Sequence, residues 1–218
     1  MLPDDTRSKI EDIVAGIILK GASDTCSTAR NLLCGRYPTS TTVKKNFESQ
    51  AIIKKEQVEL LEKFAQSENL WLSQLPSEKT FLTRGGEARV FLDIDNRHVV
   101  KLNDAIYYAT WLEFLNSILL HNLFFPNTSY QLIGFAKEGL NLIAVLRQPF
   151  VISDAIAELD NIKSLLEFNG FKNTRRHDYE HKQLGLILED MHDENVLVNS
   201  QTLFFIDTVF FTVAPTKS

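Results

Sequence analysis

Residues 188–207 constrain this chain more than any other stretch. They read Leu188-Glu189-Asp190-Met191-His192-Asp193-Glu194-Asn195-Val196-Leu197-Val198 and, beyond a turn at Asn199-Ser200, Leu203-Phe204-Phe205-Ile206-Asp207. Two short apolar runs flanking a turn predict a hairpin, residues 194–198 against 203–206. Such a hairpin brings Asn195 next to Asp207, twelve residues later. Together they can meet one Mg²⁺, a cation that takes a few hard oxygen ligands and retains its waters. Asp190, with the D-x-x-x-x-N spacing to Asn195, is then the base or orienting carboxylate. Phosphoryl transfer asks for this set: carboxylates and an amide around divalent metal, and one carboxylate facing the acceptor hydroxyl.

A second group lies upstream. Residues 80–101 predict strand, turn at Arg84-Gly85-Gly86, strand, turn at Asp95-Asn96, and the strand His98-Val99-Val100-Lys101-Leu102. A lysine in mid-strand among valines and leucine needs a partner, because an unpaired buried charge costs several kcal/mol. With a glycine turn fifteen residues before it and the acidic loop after it, Lys101 is expected to reach nucleotide phosphates. Backbone N–H groups of Gly85 and Gly86 can lie over the same phosphates. Glu113, in the following helix, is the expected partner of Lys101, with Asp104 as an alternative.

The remainder supplies the frame. Residues 1–75 read as helices: Ile10, Ile13, Val14, Ile17 and Ile18 recur at helical spacing up to Gly21. A second helix covers 28–33, a third starts near Thr41 or Thr42, and a fourth spans 54–67 with Val58, Leu61 and Ala65 on one face. Beyond Lys101, helices are expected over 105–121 and 153–169, and strands over 130–136 and 140–148. The polar stretch 172–183 reads as a loop. Its His177-Asp178-Tyr179-Glu180-His181 matches an H-x-x-E-H zinc pattern, but it lacks the apolar face that anchors a metal-site helix. Arg175-Arg176 beside it reads as solvated. Paired phenylalanines, such as Phe124-Phe125 and Phe204-Phe205, belong to the core or to an interlobe or homo-oligomer contact.

A net charge of −5 argues against a nucleic-acid partner, and 44% hydrophobic residues argue against disorder. Cys26 and Cys34 are expected reduced, and with no targeting or membrane segment in view the expected setting is cytoplasmic.

Taken in order, the glycine turn, the V-V-K strand, the helix with a glutamate, L-E-D-x-H-x-E-N-V-L-V and F-I-D resemble the protein-kinase-like superfamily. His192, two places after Asp190, is more similar to the aminoglycoside and choline phosphotransferase branch. Most closely the chain resembles the kinase domain of polyvalent proteins of phages and conjugative elements. That resemblance rests also on Val100 to Asp104, Leu120-His121-Asn122, Phe125-Pro126, Leu132 to Phe135 and Gln148-Pro149-Phe150. It implies Lys101 on the ATP phosphates under Gly85 and Gly86, and adenine against the backbone of a hinge at Gln148 to Phe150. It also implies Asp190 as the catalytic carboxylate and Asn195 and Asp207 on Mg²⁺. The sequence departs from the family in having no G-x-G-x-x-G, Leu188 in place of the H-R-D histidine, and Thr208-Val209 in place of Phe-Gly. Eleven residues follow Asp207.

The expectation is an α+β, protein-kinase-like fold with a truncated C-lobe, preceded by a small helical region. Residues 1–75 are helical, 76–150 form the N-lobe, and 151–218 form the truncated C-lobe. The expected function is ATP- and Mg²⁺-dependent phosphoryl transfer to a protein or small-molecule hydroxyl. The alternatives are a pseudokinase that binds nucleotide or a partner, and AMP transfer on the same fold.

Overall fold

Side-chain alternation along the strand that carries Lys101 organises the architecture. The computed structural model of the chain describes residues 3–37 and 47–213. Three helices come first, α1 (Asp4–Val14), α2 (Thr25–Arg36) and α3 (Phe47–Ser67). Then come β1 (Phe81–Arg84), β2 (Ala88–Leu92), β3 (His98–Asn103), α4 (Trp111–Phe124), β4 (Gln131–Glu138) and β5 (Asn141–Pro149). The five strands form one antiparallel sheet in the order β1-β2-β3-β5-β4. In β3, Val100 and Leu102 face an outer cluster with Phe91, Ala136, Ile143 and Val145, covered by Leu72 and Leu75. Successive residues point to opposite faces, so Val99, Lys101 and Asn103 face the other way. On that side, Leu142, Ala144 and Leu146 of β5 join the main core.

The helix α4 fills that inner face. Its Trp111 and Phe114 are fully buried, each ring contributing about 1.5–3 kcal/mol relative to exposure. The helix starts six residues later than the expected 105, because Thr110 is its N-cap. The Thr110 hydroxyl accepts the Glu113 N–H (3.2 Å) and the Glu113 carboxylate accepts the Ala109 N–H (3.0 Å). This is a variant of the reciprocal T-x-x-E capping box.

The N-terminal helices pack on α4 through the same continuous core, which runs from Ile10 to Phe210. Arg30 of α2 is fully buried. Its Nε donates to Asn116 of α4 (2.9 Å), and its other nitrogens reach the carbonyls of Ile13 and Ile17 just where α1 ends. Helix C-termini favour a cation. The expected run to Ile18 is cut short: α1 stops at Val14, Gly16 takes a positive φ of 67°, and Ile17 and Ile18 are half exposed. The start expected near Thr41 lies outside the described residues. The helix expected over 54–67 is the C-terminal two thirds of α3, whose Lys54 ammonium donates to the carbonyls of Ala105 (2.6 Å) and Tyr108 (2.7 Å). Cys26 and Cys34 are buried free thiols.

After α3, residues 70–72 run beside β4. Leu72 N–H donates to Phe135 O and Phe135 N–H to Leu70 O, both at 2.8 Å. Gly134 makes this approach possible, since a Cβ there would run into the Leu70 carbonyl. Gly134→Ala is therefore expected to lower stability by about 1–3 kcal/mol through forced backbone displacement, read as a lower urea midpoint. An unchanged midpoint would mean the segment moves aside freely.

The second half contains α5 (Leu159–Phe168), β6 (Lys172–Arg175), β7 (Asp178–His181), β8 (Leu186–Glu189), β9 (Val196–Asn199), β10 (Thr202–Phe205) and β11 (Val209–Thr212). β9 and β10 form the expected hairpin, with positive φ at both Ser200 and Gln201 as a tight primed turn requires. The other four strands make an antiparallel sheet in the order β11-β8-β7-β6. The supposed loop at 172–183 is thus a hairpin. β6 is exposed along its whole length, so backbone pairing alone defines it and no apolar alternation announces it. The helix expected from Ser153 begins only at Leu159. Before it the chain is extended along β9, with Asp154 N–H on Val198 O at 2.9 Å.

Candidate active-site cleft

Between the five-stranded sheet and the β9–β10 hairpin lies a cleft of about 730 Å³. Lining it are Gly85, Gly86, Lys101, Gln148, Phe150, Asp190, Asn195 and Asp207, which are all the expected site residues except Glu113. Glu87, Arg84 and His192 also border it.

The hairpin does what its pattern predicts. Ile206 and Asp207 N–H groups both point to the Asn195 carbonyl, at 3.0 and 3.4 Å. Asn195 Nδ2 in turn donates to the Asp190 carbonyl at 2.8 Å and lies 3.3 Å from its carboxylate. Asp190 follows β8 in a left-handed conformation (φ 64°), with its N–H on the Asp178 carboxylate at 3.2 Å. His192 Nδ1 accepts the Glu194 N–H (3.2 Å). Its Nε2 lies 3.2 Å from Asn195 Nδ2 and 3.4 Å from Asp190 Oδ1. Asp190, Asn195 and Asp207 thus offer hard oxygen ligands from one short loop and one strand end.

Lys101 reaches them from the opposite sheet. Only 4% exposed, it donates to the Ile206 carbonyl (2.8 Å) and the Tyr130 hydroxyl (3.3 Å). Its ion pair is with Asp207 at 3.5 Å. The expected pairing with Glu113 is replaced by this one, because the Glu113 carboxylate caps α4 and lies near the Lys54 ammonium. The hinge expectation also needs amendment. Phe150 borders the cleft, but its N–H is committed to Arg97 O at 2.8 Å, since pairing of β5 with β3 continues past Pro149. Gln148 is buried, and its side-chain amide donates to Thr128 O at 2.7 Å. At Gly85 and Gly86 an added Cβ would meet nothing nearer than 3.6 Å. The turn therefore leaves room for a ligand to approach the backbone.

Sequence reasoning misses two residues here. Tyr130 carries no signal beyond an aromatic ring before a strand. Glu87 follows the glycine pair directly, which is the one clue to it. Burial foremost, then the Asp207 carboxylate, push the Glu87 carboxyl up from its ordinary 4.5 to about 7, while Lys101 and an Asn103 hydrogen bond pull it down. A folded-state value above the unfolded one means its contribution to stability is greatest below about pH 4.5 and is lost as pH rises through about 7. Glu87→Gln keeps an acceptor for Asn103. It is expected to raise unfolding free energy by about 1–3 kcal/mol at pH 8 and by almost nothing at pH 4. Urea titrations at the two pH values check this; an equal gain at both would rule out titration as the cause.

Two other groupings do not compete as metal centres. His177 precedes β7 and His181 ends it, so the two lie along extended chain, about 3.3 Å per residue, rather than on one helix turn. Asp93, Asp95 and His98 come together at the β2–β3 turn, but Arg147 already bonds both carboxylates at 2.6 Å.

The sequence model of one family, described as Serine/Threonine/Tyrosine Kinase found in polyvalent proteins, matches residues 54–214. The chain belongs to this kinase family. The matched part of the chain begins within α3 and takes in all three sheets and the whole cleft. No curated protein and no solved structure matched the chain. Among the described residues, no helix is long and apolar enough to cross a membrane.

Proposed function

We propose that the cleft binds ATP with Mg²⁺ and that the protein transfers a phosphoryl group to a hydroxyl of a protein or small molecule. The observation that carries this reading is the convergence of Lys101, Asp190, Asn195 and Asp207, from the five-stranded sheet, the end of β8 and the two ends of the β9–β10 hairpin, on one cleft of about 730 Å³. That volume lies in the usual range for nucleotide-sized ligands. Lys101 and the backbone at Gly85 and Gly86 hold the phosphates. Asn195 and Asp207 are the residues that would hold Mg²⁺, which when bound offsets phosphate charge. The donor set fits it, being carboxylate and amide oxygens. Asp190 orients the acceptor hydroxyl and takes its proton, so that catalysis consists of positioning plus charge compensation.

On this reading residues 76–150 serve as the N-lobe, 151–218 as the second lobe, and 1–75 as an N-terminal region whose described helices support α4. A reducing, cytoplasmic setting suits it, with two buried free thiols. The test is thermal shift with ATP and Mg²⁺, followed by transfer from γ- and α-labelled ATP. A shift with γ-label transfer is the expected result. Label from the α position would instead indicate AMP transfer, a shift without transfer a pseudokinase, and no shift would end the nucleotide reading.

A further inference from the structure

Tyr130 stands at the centre of the contacts that join the two halves of the cleft. It lies just before β4, on none of the loops that carry the site acids, and is 6% exposed. Its hydroxyl donates to the Ile206 carbonyl at 2.7 Å, lies 3.4 Å from Asp207 Oδ1, and accepts from Lys101 Nζ at 3.3 Å. The Lys101 ammonium also sits 5.3 Å from the centre of the ring. Since Lys101 donates to the same Ile206 carbonyl (2.8 Å), both lone pairs of that oxygen are used. Burial foremost, with Asp207 next, holds the phenol well above its ordinary range, so it remains a donor.

What fixes Tyr130 is α4. Asn122 clamps its backbone in both directions, Nδ2 donating to Tyr130 O (2.8 Å) and Oδ1 accepting the Tyr130 N–H (2.7 Å). The neighbouring His121 packs its ring 4.6 Å from that of Tyr130. His121 Nε2 lies 2.9 Å from Thr128 O, which makes it the protonated nitrogen, and Nδ1 accepts the Thr208 hydroxyl at 2.8 Å. Two adjacent residues at the end of α4 therefore hold the chain on both sides of Asp207, one through Tyr130 and one through Thr208.

We infer that Tyr130 is a positioning residue which sets Ile206 and Asp207 against Lys101 and transmits the placement of α4 to them. The inference rests on the nucleotide reading above for what the cleft holds, but the brace itself can be measured without ligand. Tyr130→Phe keeps the buried ring and deletes only the hydroxyl, leaving the Ile206 carbonyl a single donor. In the ligand-free protein, amide hydrogen exchange at Ile206 and Asp207 is expected to accelerate about tenfold, the equivalent of one hydrogen bond, with β3 and β5 unchanged. Titration calorimetry supplies the second readout. Affinity for ATP with Mg²⁺ is expected to fall about tenfold, and affinity for metal-free ATP by less than about threefold, because the misplaced group is Asp207. Purely structural damage would lower both alike. Asn122→Ala, which unclamps Tyr130 without touching a cleft side chain, is expected to reproduce the pattern.

Unchanged exchange at Ile206 and Asp207, or acceleration spread evenly over β3 and β5, would overturn the inference. Equal losses of affinity with and without Mg²⁺ would also overturn it. If the native protein binds neither form of ATP, the nucleotide reading fails, and the exchange result alone decides the brace.

Discussion

Replacing Asp190 with asparagine is expected to slow phosphoryl transfer by about 10²–10⁴-fold while changing nucleotide affinity by less than about threefold. The asparagine keeps the size of the side chain. The main hold on the loop also survives, because Asn195 Nδ2 donates chiefly to the Asp190 backbone carbonyl at 2.8 Å. What disappears is a proton acceptor. The Asp190 side chain is 62% exposed, so an acceptor hydroxyl can reach it, while Lys101 is paired with Asp207. Single-turnover transfer from γ-labelled ATP, set beside calorimetric binding, separates the two effects. A variant that transfers at the native rate would remove Asp190 from the mechanism. A variant that loses affinity in proportion to rate would make it a binding residue instead.

The Lys101–Asp207 pair predicts opposite stability changes for its two halves. Lys101→Met is expected to cut transfer by about 10²–10³-fold through loss of a positioned donor in a sheltered site. Its stability should hold or rise, because methionine fills the 4%-exposed site without the desolvation cost of a charge. Asp207→Ala leaves the buried ammonium without its carboxylate. The cost of breaking a buried pair is reduced here because the Asp207 side chain is 31% exposed, so a loss of about 1–3 kcal/mol is expected. Asp207→Ala should also erase the Mg²⁺-dependent part of ATP binding. Urea unfolding of both variants is the measurement. Equal destabilisation by the two changes would mean the pair contributes packing rather than charge compensation.

Much of the fold and of the cleft is legible in the amino-acid sequence wherever the signal is local. Short runs rich in apolar and β-branched residues, with Gly85-Gly86 and Asp95-Asn96 between them, define β1 to β3, since run and turn are both written within a few residues. The hairpin joining Asn195 to Asp207 is equally local. Where element boundaries differ from the apolar pattern, the deciding interaction is short-range but of another kind. Thr110 and Glu113 cap α4 and so start it later than its apolar residues suggest, and Gly16 ends α1 while the isoleucines continue. β6 escapes a sequence reading because a strand exposed on both faces leaves no pattern, although its backbone pairs with β7, whose buried alternate residues are only Tyr179 and His181.

Residue order alone specifies the chemistry available to this protein: one lysine on a buried strand, and two acids and an amide on a short loop and hairpin. It specifies the α+β class as well, because periodicity separates the helical from the strand segments. Which acid meets Lys101 is settled only by packing in three dimensions. Asp207 lies 106 residues further along the chain and Glu113 only twelve, yet the nearer one is spent on a helix N-terminus while the sheet and hairpin close over the farther one. Tyr130 and Glu87 become site residues for the same reason. A buried polar group takes whatever partner packing brings within about 3 Å, and sequence distance does not enter that selection.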